Sequence, residues 1–337
     1  MSTPRASPEA LAGGVRGGER RALARALTLV ESTRPEARAA AVKLLDRLAA
    51  EVGHSIRIGI SGAPGAGKST LIEALGMHVI AAGHRVAVLS LDPSSALGGG
   101  SILGDKTRMT ELSRRPEAFI RPSPAGHGHG GVARRTREAI LLCEAAGYDR
   151  VMVETVGVGQ AETAVAEMVD LLMLVLIPGA GDELQGIKRG IVELADVLVV
   201  NKADGELAAA AGRTAADYRN ALRLLRPRSP NWQVPVLGCS AISGAGIDEL
   251  WNTVERYRAA LAPSGELAAR RRAQAQRWFQ SEITESVLEA LRSDPGTRGM
   301  LAEIEDAVAA GTVPPTVAAR RAVERILANW RVAETGR

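Results

Sequence analysis

Gly62-Ala63-Pro64-Gly65-Ala66-Gly67-Lys68-Ser69 fits the pattern GxxxxGK[ST] at every fixed position. Before it, Ile56, Ile58 and Ile60 alternate with Arg57 and Gly59, a strand signature, and after it Lys68–Ala82 has helical composition. Strand, glycine-rich turn and helix form the setting in which this octet holds phosphate. Glycines let the backbone curl until successive N–H groups point inward, and the helix adds its positive end. Lys68 is expected at the β- and γ-phosphates and the Ser69 hydroxyl on Mg²⁺, with Gly62, Ala63, Pro64, Gly65, Ala66, Gly67 and Thr70 completing the nucleotide-binding stretch.

The same period recurs downstream. Val86–Leu91, Val151–Val153, Leu171–Ile177, Val197–Val200 and Val234–Cys239 are short apolar runs separated mostly by helical stretches. That order predicts an α/β fold, a P-loop NTPase with a mostly parallel sheet flanked by helices and ligands at the carboxyl ends of the strands. Ala22–Ala50 reads as helix, with Leu27, Leu29, Val30, Val42, Leu44, Leu45 and Leu48 as its apolar positions. From about Gly246 the pattern is helical, broken at Ser264-Gly265, at Ser293-Asp294-Pro295-Gly296 and at Pro314-Pro315, and predicts three further helices. The expected layout is an N-terminal helical segment (1–52), a nucleotide-binding domain (53–262) and a C-terminal helical region (263–337).

Asn201-Lys202-Ala203-Asp204 follows the run Val197–Val200 and fits NKxD. Guanine presents an N1–H beside an amino group, and a carboxylate accepts both, so Asp204 is the expected specificity residue. Lys202 is expected along the base and Asn201 between the loops. Ser240-Ala241-Ile242 resembles the SA loop whose backbone N–H meets the guanine carbonyl. Val151–Val153 leads into Glu154-Thr155-Val156-Gly157, which places Glu154 as a carboxylate for Mg²⁺ and the Gly157 amide near the γ-phosphate. Asp92 ends the second apolar run and Asp105 follows the glycines Gly98–Gly100 in a candidate switch loop; both are further candidate Mg²⁺ and catalytic acids.

The chain has 337 residues and a formal net charge of +4. So small an excess suits an anionic ligand and does not argue for nucleic acid. Cys143 and Cys239 form no CxxC pair, which argues against a disulfide scaffold or structural zinc and for a reducing cytoplasm. No apolar run reaches the roughly 18 residues needed to span a bilayer. Met1–Arg25 reads as a frayed, solvated terminus, and Arg270-Arg271-Arg272 as a solvated helix face.

The motifs together resemble the MeaB/ArgK GTPases, the group that includes the methylmalonic aciduria type A protein. The resemblance rests on Asp92-Pro93-Ser94-Ser95, Gly99 to Met109, Arg121-Pro122-Ser123-Pro124, Glu154 to Gln160 and Pro178 to Lys188. It implies a G-protein chaperone that gates adenosylcobalamin loading and protects or reactivates methylmalonyl-CoA mutase or a related mutase. It further implies a homodimer built with the C-terminal helices, and a third switch carrying Asp182, Gln185 and the catalytic candidate Lys188. Cobalamin belongs to the partner, since no histidine here has an Asp two residues before it as the DxHxxG signature requires. Two features depart from neighbouring families. Gly126-His127-Gly128-His129-Gly130 has no third metal ligand nearby and reads as a loop, and Ala63 stands where deviant Walker ATPases carry a lysine. Two alternatives remain open: a nickel-insertion metallochaperone GTPase, and a kinase-like ATPase linked to basic amino-acid transport, against which Asn201-Lys202-Ala203-Asp204 argues.

Overall fold

A computed structural model describes residues 7–92, 109–124, 129–155, 161–179 and 189–335. Seven strands form one sheet: β1 (Ile56–Gly62), β2 (Val86–Asp92), β3 (Ala118–Pro124), β4 (Arg150–Thr155), β5 (Leu171–Leu176), β6 (Val197–Val200) and β7 (Val236–Gly238). Their order is β3-β2-β4-β1-β5-β6-β7, and every pairing is parallel. The strand that feeds the phosphate loop is therefore the central one. Alternate residues of each strand enter opposite cores. Ala87, Leu89 and Leu91 face one apolar layer, and Val86 and Val88 the other.

One face is covered by α4 (Lys68–Ala81), α5 (Thr110–Arg114) and, further along the chain, α10 (Ile247–Leu261). The other carries α6 (His129–Ala145), α7 (Ala161–Ala166), α8 (Arg189–Leu194) and α9 (Ala208–Leu222). Onto that second face also pack α1 (Pro8–Arg16), α2 (Arg20–Glu31) and α3 (Pro35–Arg47). The terminus expected to be frayed is thus helical from Pro8. Ser7 caps α1 through its hydroxyl, Pro8 opens the helix, and Leu11, Ala12 and Val15 are buried. The helical reading of Ala22–Ala50 divides at Ser32–Arg34, where Pro35 begins a new helix. α6 begins at His129, so that end of the Gly-His run is helical in its backbone, while His127 lies outside the described residues.

β3 has no counterpart in the sequence expectations. Pro122 and Pro124 interrupt its apolar pattern, and among the described residues β3 pairs with β2 alone. An edge strand can carry proline because half its amides face away from the sheet.

Two compact units divide the chain, Met1–Ala275 and Gln276–Arg337. The second begins inside α11 (Glu266–Ser293) and continues with α12 (Pro295–Ala309) and α13 (Pro315–Thr335), the three helices that follow the predicted breaks. Asp294 caps α12, accepting from the Thr297 amide at 2.7 Å. Met300, Ala318, Ala322 and Ile326 are buried in this unit, while Phe279, Ile283 and Val287, spaced four apart on α11, are exposed.

At the amino ends of the strands, the arginine run expected to be solvated is engaged for two of its three residues. Arg270 takes both oxygens of Asp196, at 3.0 and 3.1 Å, and Arg271 takes both oxygens of Asp170. Asp170 also accepts the Arg57 amide at 2.8 Å and Asp196 the Leu172 amide at 2.9 Å, so each acid ties a strand to α11. Arg272 is exposed. Beside them Glu144 accepts from Gly53 N, Ser55 Oγ and two nitrogens of Arg57 at 2.6–2.9 Å. Burial alone would raise its pKa. The Arg57 guanidinium, the Ser55 hydroxyl and the Gly53 amide outweigh burial and hold it below the usual carboxylate value.

Candidate nucleotide site

The turn from β1 into α4 has little freedom to vary. Gly62 has φ 149°, and a Cβ there would lie 2.2 Å from Val175 O. Gly67 caps α4 at φ 82°, and a Cβ there would lie 2.6 Å from Asn201 Nδ2. No side chain caps α4, so its first amides stay available to an anion. Lys68 is buried and folds back over the loop, its Nζ donating to Gly62 O at 2.8 Å and Ala63 O at 3.0 Å. Burial lowers its pKa, and the charges of Glu154 and Glu162 push the other way.

Register explains the acid beside it. β4 lies between β1 and β2, which sets Glu154 against Ile60 on one side and Ser90 on the other. Glu154 is buried. Its Oε1 accepts from Ser69 Oγ at 2.8 Å and its Oε2 from Ser90 Oγ at 3.2 Å. A hydroxyl and a carboxylate in direct contact, both oxygen donors, suit the hard cation Mg²⁺.

On the base side Asn201 joins two loops. Its Nδ2 donates to Ala66 O at 2.9 Å, and its Oδ1 accepts from the Ala241 amide at 3.1 Å. Within the Ser240-Ala241-Ile242 loop, a backbone N–H of which is expected to meet the guanine carbonyl, the Ala241 amide is thus engaged with Asn201. Lys202 holds φ 59°, a left-handed backbone that non-glycine residues adopt at a cost of about 1–2 kcal/mol. It turns the chain so that Asp204 faces Ser240, whose Oγ donates to Asp204 Oδ2 at 2.8 Å and accepts from Ser243 N at 3.1 Å. Ile242 is exposed at the loop tip. The Cys239 thiol behind Asn201 is pushed up to about 12 by burial and stays protonated.

The structure thus brings together Gly62–Ser69, Glu154, Asn201, Asp204 and Ser240 from the ends of four strands, β1, β4, β6 and β7, and the loops that follow them. Asp105, Gly157, Asp182, Gln185 and Lys188 lie outside the described residues, as does the side chain of Asp92.

Comparison with known proteins agrees with this geometry. The family profile described as "Methylmalonyl Co-A mutase-associated GTPase MeaB" matches residues 23–296. The chain belongs to the MeaB family of GTPases. A Caulobacter vibrioides protein named as a GTPase is 55% identical over 304 residues, 90% of this chain and 93% of its own. A Mus musculus protein named "Methylmalonic aciduria type A homolog, mitochondrial" is 49% identical over 316 residues, 91% of this chain and 76% of its own. A crystal structure of a "LAO/AO transport system kinase" superposes with a TM-score of 0.74 at 39% identity, covering 97% of this chain and all of that one.

Two residues of this MeaB-family site escaped the sequence reading. Ser90 is a polar residue inside an otherwise apolar strand. Glu162 is buried in the first turn of α7, two residues beyond the matching stretch that ends at Gln160.

Proposed function

We propose that this chain is a Mg²⁺-dependent GTPase acting as a G-protein chaperone of an adenosylcobalamin-dependent acyl-CoA mutase, methylmalonyl-CoA mutase or a relative. In this reading it gates cofactor loading and protects or reactivates the enzyme, and the mutase, not this chain, holds the cobalamin. The observation that carries the nucleotide reading is the Asn201 bridge, which ties the phosphate loop to the loops that present Asp204. The family description and the mouse relative's name support the choice of partner.

The residues divide the work. Backbone N–H groups from Gly65 to Thr70 cradle the phosphates, and Lys68 leaves the carbonyls of Gly62 and Ala63 for the β- and γ-oxygens. Asp204, oriented by Ser240, accepts the N1–H and amino group of guanine. Adenine lacks that donor pair, which is why the kinase reading is not preferred. Ser69 and Glu154, with Asp92 and Asp105, would hold Mg²⁺, which when bound neutralises charge on the phosphates. Glu154, and behind it Glu162, oppose the lowering of the Lys68 pKa by burial. The Gly157 amide meets the γ-phosphate. Asp182, Gln185 and Lys188 form the switch that reports the partner to the nucleotide. No arginine stands in the phosphate loop, so the free protein turns over slowly. The exposed row Phe279, Ile283 and Val287 supports a homodimer through the C-terminal helices. The same reading places the protein in the cytoplasm, with neither nucleic acid nor membrane as a partner.

A coupled assay tests it. Phosphate release is measured with and without purified mutase, for the wild type and Lys188→Ala. The mutase is expected to accelerate the wild type and to lose most of that effect on the variant, while GTP binding by calorimetry is unchanged. Absence of any mutase effect on the wild type would overturn the partner, and full stimulation of Lys188→Ala would overturn the switch.

A further inference from the structure

The end of the sheet opposite the phosphate loop carries a groove of about 810 Å³ between α8, the end of α9 and the connector into β7. Arg219, Arg223, Arg226 and Arg228 line it, and Glu193 is its one acid. The connector is firmly held. Trp232 Nε1 donates to Asp196 O at 2.8 Å, and its ring meets Tyr257 edge-on at 5.0 Å. Ser229 is buried and bridges to Trp232, and Asn231 donates to Glu266. Two of the arginines hold this frame: Arg219 donates to Val236 O at 3.0 Å and Arg228 to Leu194 O. Arg223 and Arg226 are exposed, and their side chains make no hydrogen bond or ion pair with the described residues. Between them Leu224 is 87% exposed.

We propose that this groove is a docking surface for an acidic segment of a protein partner. Its carboxylates meet Arg223 and Arg226, and an aliphatic side chain of the same segment covers Leu224, which adjoins Arg223 in the chain outside the groove's lining. The cations lining the groove are all arginine, whose planar fork matches a carboxylate in two hydrogen bonds. The chain as a whole is nearly balanced in charge, so the positive field is local. An exposed leucine between two unpaired guanidinium groups suits a peptide with alternating acidic and aliphatic residues, and has no counterpart on a nucleic-acid backbone. Pro227 and Pro230 stiffen the connector, which lowers the ordering cost of binding. Docking here leaves the nucleotide edge free, and the inference does not depend on which mutase the chain serves.

Fluorescence anisotropy of the full chain with a fluorescein-labelled peptide of alternating glutamate and leucine tests the proposal. The wild type is expected to bind in a salt-sensitive manner. The double variant Arg223→Glu, Arg226→Glu is expected to bind at least about tenfold more weakly. Leu224→Ser should lose about threefold. Thermal melting and GTP turnover of both variants should match the wild type, which separates a docking defect from a folding defect. The proposal is overturned by a wild type that does not bind, by equal affinity of wild type and double variant, or by a thymidine oligonucleotide that displaces the label more readily than unlabelled peptide.

Discussion

The two ends of the parallel sheet are built on different rules. At the carboxyl end Lys68 donates to loop carbonyls and Ser69 to Glu154. These are contacts a nucleotide and a cation can exchange for their own. At the amino end Asp170, Asp196 and Glu144 each accept from a backbone amide and from an arginine, and both oxygens of each acid already have partners. One end trades partners while the other keeps them. A sheet can carry a changeable site because the acids that tie its opposite end are saturated.

The largest effect that would break or sharpen this contrast is at Lys68. Lys68→Ala should lower GTP hydrolysis by at least about a thousandfold, since charge on the transferring phosphoryl loses its cation. The melting temperature should barely move. Phosphate release and a thermal melt run side by side check it, and a variant that melts early while still hydrolysing would reverse the assignment of roles.

Asp170→Ala should behave in the opposite way. Removing Asp170 takes the carboxylate from Arg271, which keeps only the carbonyls of Gly53 and Ser55, and the acceptor from the Arg57 amide, and costs about 3 kcal/mol of stability. GTP affinity measured below the melting temperature should be unchanged. Urea unfolding with parallel calorimetry decides the matter.

A smaller effect concerns acid. The folded pKa of Glu144 lies below its ordinary value of 4.5, so its contribution is complete above that pH and is lost as pH falls through the lowered value. Glu144→Gln should therefore cost about 2 kcal/mol at neutral pH and flatten the loss of stability below pH 4.5. Unfolding curves across that range should converge for the two proteins at the acid end; parallel curves would remove Glu144 from the account.

Ser240→Ala should have the smallest consequence. Asp204 loses the hydroxyl that orients it, and GTP affinity should fall about fivefold, or about 1 kcal/mol, with ATP binding unaffected. Competition binding with both nucleotides reads this directly.

Local patterns carried most of the fold. Six strands were legible because five are apolar runs bounded by turn residues and β1 alternates Ile56, Ile58 and Ile60 with Arg57 and Gly59. β3 was not, because Pro122 and Pro124 argue against a strand until its place at the edge is known. Contiguous motifs likewise exposed Gly62–Ser69 and Asn201–Asp204. Ser90 and Glu162 reach the same site through strand register and a helix start, and no spacing in the chain announces them. Arg270 and Arg271 were misread for a related reason. Their acids lie 74 and 101 residues away, and a run of like charges gives no hint of partners so distant.

The proline pair in β3 also bears on how the folded molecule behaves in a crowd. An open strand edge is a template, and a second sheet that finds it can zip on and begin a fibre. Pro122 and Pro124 withhold hydrogen from two alternate positions along that edge. An incoming strand would meet gaps where it needs donors. The residues that hid this strand from a reading of the sequence are thus the kind that blunts an edge against unwanted pairing.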